Sequence, residues 1–155
     1  MKQLTVLVDA DACPVKREII DVCRNFGARA VFVASWDHLL SDAGEGVEIV
    51  QVDRSDQSVD LYIANRLGKG DVLVTQDFGL AALGLSRGAA VLSNRGQEYR
   101  PETIGFLLES RNEAARKRRG GGRSKGPRAF TDADRHIFLH ALTKVLQRLQ
   151  ENFSL

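Results

Sequence analysis

Five short apolar runs recur along the chain between Leu4 and Leu92, each bounded by polar or turn-forming residues. Leu4–Val8 is a continuous run rich in β-branched residues, and Ala30–Ala34, Val47–Val52, Val72–Thr75 and Ala89–Leu92 are further strand candidates, most of them without alternation. That is the pattern of strands covered on both faces. Helical periodicity fills the gaps. Pro14 is predicted at a first helical position, Ile19, Ile20, Cys23 and Phe26 make an apolar stripe, and Gly27 stops it. Residues 41–46 read as a loop. Asp56 is predicted to cap a helix over roughly 57–67 that ends at Gly68, and Gln76-Asp77 precedes a helix over 78–86. Strands alternating with helices predict an α/β fold: three layers, a mainly parallel five-stranded sheet, right-handed crossovers and helices on both faces.

Beyond residue 100 the pattern is helical. A helix is predicted over 101–118, then a Gly/Arg/Lys loop, then a C-terminal helix over 129–152. Thr131-Asp132-Ala133-Asp134 resembles a capping box with Asp in place of Glu. Phe138, Leu142, Val145, Leu146 and Leu149 fall on one face of the last helix, which could dock on the sheet or on a second subunit.

A length of 155 residues suits one domain, and 43% hydrophobic with 27% charged residues is an ordinary globular balance. The net charge of +2 announces no particular partner, but its distribution does. The region 111–128 holds eight Lys/Arg and a single acid, so a basic segment, read as a Gly/Arg-rich loop, sits on a mildly acidic body. Cys13 and Cys23 lie too far apart along one helix to be bridged. No secretory leader or membrane-length apolar run is seen, and a reducing cytoplasm is expected.

The chemistry concentrates where apolar runs stop. Leu4–Val8 ends at Asp9, and Asp11 follows. If both are extended they point the same way, and at about 5 Å with an effective dielectric of about 20 they repel by roughly 3 kcal/mol. A cation, a proton or a substrate is needed to relieve that. Asp53, Asp77 and Asn94 follow the third, fourth and fifth runs, and Asp60 falls in a first helical turn. Ligands of open parallel sheets bind at this carboxyl rim, and oxygen ligands suit Mg²⁺ or Mn²⁺. Each acid also has a plain structural reading: Asp77 as an N-cap, Asp60 as a first-turn acid favoured by the helix dipole, Asp53 and Asp56 as turn residues. Thr75 and Gln76 could orient water, and Asn94 and Arg95 could touch phosphate or shape a turn.

Arg116, Lys117, Arg118, Arg119, Arg123, Lys125 and Arg128 flank Gly120-Gly121-Gly122, which suits a mobile cationic loop against a phosphate backbone. The Walker pattern cannot be read across it. His136 and His140 have helical metal-pair spacing, but no Glu follows His136 and no partner is evident. Cys13, beside a helix start, is either an activated thiol or a buried structural one. Phe130 could stack a base or pack. The Trp36-Asp37-His38 triplet suggests no chemistry.

Three segments, VDADACPVKREI, GDVLVTQDFGLAALGLSRGAAVLSNRGQEY and GGGRSKGPRAFTDADRHIFLHAL, occur in order over nearly the whole chain. Together they resemble the YaiI/YqxD family of bacterial proteins. The core of that family is similar to PIN-like, NYN-type metal-dependent ribonuclease domains. The resemblance implies a single PIN-like domain over 1–155, strand order 3-2-1-4-5 and an acidic metal site at the carboxyl rim. It aligns Asp9 with the first-strand aspartate, Asp77 with the acid of the later T-x-D element and Asp60 with the acid of the middle helix. The family's own motifs add Asp11, Cys13, Pro14 and the Gly-Pro-Arg-Ala-Phe-Thr-Asp-Ala-Asp-Arg stretch. The further acid that PIN-like nucleases carry near the fifth strand has no counterpart; Ser93 and Asn94 stand there.

The expectation is therefore a Mg²⁺- or Mn²⁺-dependent ribonuclease or phosphodiesterase. Asp9, Asp11 and Asp77 would be catalytic. Asp9, Asp11, Asp60 and Asp77 would hold metal, and the basic residues with Asn94 would hold RNA or another polyanion. Two alternatives stand beside it. One is a catalytically incomplete RNA-binding adaptor. The other is a haloacid-dehalogenase-like phosphatase with Asp9 as nucleophile, in which Cys13 would occupy a position usually held by Thr or Val.

Overall fold

The computed structural model describes residues 3–35, 44–53, 58–121 and 128–153. Its elements, in chain order, are β1 (Thr5–Asp9), α1 (Lys16–Phe26), β2 (Arg29–Ser35), β3 (Val47–Val52), α2 (Ser58–Arg66), β4 (Val72–Val74), α3 (Phe78–Ser86), β5 (Ala90–Leu92), α4 (Pro101–Arg119) and α5 (Asp132–Phe153). Asp56, the Trp36-Asp37-His38 triplet, Arg123 and Lys125 lie outside the described residues.

All strand pairs are parallel, and the sheet runs β3-β2-β1-β4-β5. Chain order reverses between β1 and β4, which makes that junction the topological switch point. Alternation along each strand divides the core into two layers. Val6 and Val8, Ala30, Phe32 and Ala34, Val72 and Val74 face α1 and α5. Leu7, Val31, Val33, Leu73 and Val91 face α2, α3 and, through the partly buried Ile104 and Leu107, α4. The three-layer α/β arrangement expected from the apolar runs is present.

The apolar face of α5 closes on the molecule itself. Phe138, Leu142, Val145 and Leu146 are buried in the layer shared with α1. Fully burying each such side chain contributes about 1.5–3 kcal/mol, so α5 belongs to the core. The capping box forms reciprocally: the Thr131 hydroxyl accepts from the Asp134 N–H (3.2 Å), and Asp134 Oδ2 accepts from the Thr131 N–H (3.0 Å). The helix begins at Asp132, three residues later than the expected 129.

Two expectations are corrected. Pro14 is not the first helical residue. It sits in a turn, and Val15, fully buried, occupies the N-cap of α1, its carbonyl accepting from the Ile19 N–H. The helix expected over 101–118 is present as α4, so residues 111–119 of the segment also read as a basic loop are its last turns. Ala, Arg and Lys are strong helix formers, and four cations at the C-terminus complement the helix dipole.

Gly27 caps α1 in the left-handed conformation (φ 63°) and sends the chain directly into β2. Gly96 (φ 85°) has a different reason: a Cβ there would lie 3.0 Å from the Ile137 carbonyl oxygen of α5. The turn after β5 can therefore press against α5 backbone.

Candidate active site

Asp9 is the last residue of β1, and the pairing of Val8 with Val74 sets it beside Thr75 at the end of β4. The buried Thr75 hydroxyl donates to Asp9 Oδ2 over 3.0 Å and accepts from the Asp77 N–H, also at 3.0 Å. One hydroxyl thus joins the two acids across the switch point. Asp77 is the N-cap of α3, its Oδ1 accepting from the Leu80 N–H at 2.9 Å. The capping reading and a place at the rim hold together, because the cap sits where β4 delivers it. Asp11 lies in the turn after β1, and its Oδ1 accepts from the Ser35 N–H at the end of β2 (2.8 Å). Asp60 stands in the first turn of α2.

The electrostatics show these carboxylates sensing one another. Burial pushes the Asp9 carboxyl up from its usual range; the Thr75 hydroxyl offsets part of this, while Asp11 and Asp77 push it further up. Burial, then Asp77 and Asp9, raise Asp60 to about 6. Tyr99, buried beneath α3 with its ring edge-on to Phe78, is pushed up to about 12 by burial and by Asp77. Asp53 follows β3, the edge strand beyond β2, and is exposed.

Asn94 follows β5, yet its Nδ2 reaches the Ala12 carbonyl in the loop after β1 (3.3 Å). Because β4 lies between β5 and β1, this amide spans the end of β4. Its backbone N–H donates to Gln76 Oε1 at 2.7 Å, so Gln76, expected to orient water, instead ties the turn after β5 to the loop after β4. Asn94 Oδ1 is buried without a hydrogen-bond partner. An orphaned buried acceptor costs about 1–3 kcal/mol, and here it stands at the crevice where the acids meet.

These donors are all oxygens, the chemistry that Mg²⁺ and Mn²⁺ select, and mutual repulsion among carboxylates is what a cation relieves. Among the described residues no three His, Cys, Asp or Glu side chains converge closely enough to hold an ion between them. The set fits an ion that keeps much of its water shell, as Mg²⁺ does.

Several sequence candidates have other employment. Arg128 makes two hydrogen bonds to Asp134 (2.9 and 2.7 Å), and Arg95 donates to the same carboxylate at 3.0 Å. The Arg128 guanidinium, with the Thr131 hydrogen bonds, holds Asp134 far below the usual carboxylate range against the effect of burial. Phe130 packs on the α1/α5 core and carries Arg95 and Arg135 over its ring at 5.5 and 5.2 Å. Arg135 in turn donates to the Pro14 carbonyl at 2.6 Å. The described part of this motif, residues 128–135, therefore works as a brace. It fixes the turn after β5 and the start of α1, the two loops that flank Asp9 and Asn94. Arg116 pairs with Glu109 on the exposed face of α4 (3.3 Å). Cys13 is buried, and desolvation pushes its thiol up to about 11, so it is a structural thiol. His136 and His140 are exposed on α5.

The sequence reading missed Arg111. It lies on α4, and its Nη1 stands 3.6 Å from where a Cβ on Gly79 would be; Asp77 Oδ1 stands 3.2 Å from the same point. Only the packing of α4 beside α3 reveals this.

Fold and site together define a parallel α/β protein with an acidic rim at its switch point. A family model described as "Uncharacterized BCR, YaiI/YqxD family" matches residues 7–148, and the chain belongs to this family. It is 46% identical to a UPF0178 protein of Bacillus velezensis over 94% of this chain and 86% of that one. A UPF0178 protein of Shouchella clausii is 45% identical over 94% of each chain. One from Listeria monocytogenes is 44% identical over 92% of this chain and 95% of its own. No helix among the described residues is long and apolar enough to cross a membrane.

Proposed function

We propose that this protein is a PIN-like, divalent-metal-dependent ribonuclease or phosphodiesterase. The observation that carries this reading is the Asp9–Thr75–Asp77 connection at the switch point, with Asp11 close enough to raise the Asp9 carboxyl and Asp60 raised in turn by Asp77 and Asp9. Asp9, Asp11, Asp60 and Asp77 would hold Mg²⁺ or Mn²⁺, which supplies Lewis-acid polarisation of a phosphoryl oxygen and acidification of water. Thr75 fixes the rotamer of Asp9 through its hydroxyl. Asp77 is fixed by its cap bond, and Asp11 by the end of β2. Such preorganisation is what phosphoryl chemistry asks of a protein. The cations Arg116, Lys117, Arg118 and Arg119 at the end of α4 offset substrate charge that the acids alone would repel.

The test is cleavage of labelled RNA by purified protein with Mn²⁺ or Mg²⁺, beside Mn²⁺ calorimetry. Asp9→Asn abolishes cleavage with an unchanged circular dichroism spectrum, and Asp9→Asn/Asp77→Asn removes Mn²⁺ binding. Asn is as good an N-cap as Asp, so the second substitution spares α3. Unaltered Mn²⁺ binding by the double variant defeats the assignment.

One observation favours a second reading, an RNA-binding adaptor: no three described carboxylates meet at coordination spacing. RNA binding without cleavage, lost on neutralising Arg116–Arg119, identifies it. A phosphate trapped covalently on Asp9 would instead mark an aspartyl-phosphate phosphatase.

A further inference from the structure

We propose that the cleft between α2 and α3 is a nucleotide subsite. It takes one unpaired base of single-stranded RNA, and Arg111 holds the phosphate beside it. The proposal rests on the ribonuclease reading and names where its substrate lies.

The cleft has a volume of about 350 Å³ and is lined by Asp60, Leu61, Ala64, Gly79, Leu80 and Leu83. Four of the six are aliphatic, a lining suited to the faces of a flat heterocycle. The carboxylate of Asp60 is an acceptor for an amino or imino N–H on the base edge. Leu61 leaves 61% of its surface exposed, so its side chain is accessible to a base entering the cleft.

Two lining residues belong to the acidic rim as well. Asp60 is one of the four coupled carboxylates. Gly79 lies in the first turn of α3, two residues after the Asp77 cap, and its missing side chain leaves space that the Arg111 guanidinium borders. A base in the cleft therefore has its backbone phosphates at the rim, next to the proposed metal residues.

Arg111 is distinguished by its place: it borders the cleft beside the Asp77 cap and binds no carboxylate among the described residues. Arg95, Arg128, Arg135 and Arg148 each bind a carboxylate. Arg111 is exposed and has neither an ion pair nor a hydrogen bond among the described residues, although it stands near Asp77. Asp77 spends Oδ1 on the cap. The guanidinium keeps its donors for an anion, and a phosphate in front of a carboxylate rim needs such a cation. Because a paired base cannot leave its stack without an unpairing cost, the subsite selects single strands.

The experiment is fluorescence anisotropy with Ca²⁺ in place of Mn²⁺, using a short single-stranded RNA and the same strand annealed to its complement. The single strand binds more tightly. Ala64→Leu, which fills the cleft with a good helix former, and Arg111→Ala each weaken it about tenfold, the scale of one lost base stack. Ala64→Leu changes neither duplex binding nor Mn²⁺ affinity by calorimetry, and both variants keep the wild-type circular dichroism spectrum. Equal affinity for the two forms overturns the proposal, as does unaltered single-strand binding by folded Ala64→Leu. Single-strand binding that follows these variants, in a protein that cuts no RNA with any divalent ion, keeps the subsite and defeats the nuclease reading instead.

Discussion

Thr75 donates its hydroxyl hydrogen to Asp9 across the one junction of the sheet where neighbouring strands are far apart in sequence. The bond has an electrostatic consequence. It is the influence that lowers the Asp9 carboxyl while burial and two neighbouring acids raise it. Thr75→Val keeps the shape and removes the donor. The Asp9 carboxyl then rises further, by carboxyl-carbon NMR titration, and Mn²⁺ affinity falls. The charged carboxylate then lacks its donor, so the loss of stability grows as pH rises through the Asp9 titration. An unmoved Asp9 titration would show that the bond carries no weight.

Asp60 gives a pH test of opposite sense to most carboxylates. Its folded value of about 6 lies above the ordinary 3.8. The folded protein therefore holds its proton over that interval, and stability falls as pH rises through it. In metal-free protein, Asp60→Asn raises the melting temperature at pH 7.5 and gains little at pH 4, where the wild-type group is already neutral. Saturating Mn²⁺ shrinks the gain at pH 7.5. Equal gains at both pH values would separate Asp60 from the other acids.

Asp134 behaves in the reverse way. Its carboxyl is depressed, chiefly by Arg128, so its contribution is present at neutral pH and lost as pH falls through and below the usual carboxylate range. Asp134→Asn lowers the melting temperature by several degrees at pH 7, because Arg95 and Arg128 lose their shared partner. The deficit narrows toward pH 2. Thr131→Ala removes the cap and one hydroxyl bond to Asp134, leaves both arginine pairs in place, and costs about 1 kcal/mol. Urea unfolding of the two variants ranks them, and a Thr131→Ala loss equal to that of Asp134→Asn would contradict the brace.

Gly84 reports on the layer beneath the proposed subsite. A Cβ there would stand 3.0 Å from Leu73 Cδ2 and from Val91 Cγ2, both core residues of the sheet. Gly84→Ala therefore destabilises by about 1–3 kcal/mol through overpacking, despite the better helix propensity of Ala. On the opposite layer Leu142→Ala costs about 2–5 kcal/mol through the cavity it leaves. Chemical denaturation measures both, and a stabilised Gly84→Ala would mean that α3 can lift off the sheet.

The strands and helices were legible because their signals are local. The β-branched run of β1, the stop at Gly27, the Asp77 cap and the Thr131/Asp134 box each sit within a few residues of the structure they specify. The acids at the rim were legible for a related reason, since a parallel sheet delivers every strand end to one side. What escaped depends on distant segments meeting. Nothing near Arg111 in sequence names Gly79, and nothing near Asn94 names Ala12. Arg128 lies in a basic run that suggests phosphate, while its carboxylate partner Asp134 lies in a helix start. Pro14 misled because its fixed φ suits a turn as well as a first helical position.

The burial of α5 against α1 sets an order of events during synthesis. Until Phe138, Leu142 and Leu146 have left the ribosome, Ile19, Val6 and Phe32 lack the cover that completes their layer. The brace through Arg135 to the Pro14 carbonyl is likewise missing until then. The nascent chain can pair its strands early, but the loop that follows Asp9 gains its final anchor from a segment translated more than a hundred residues later.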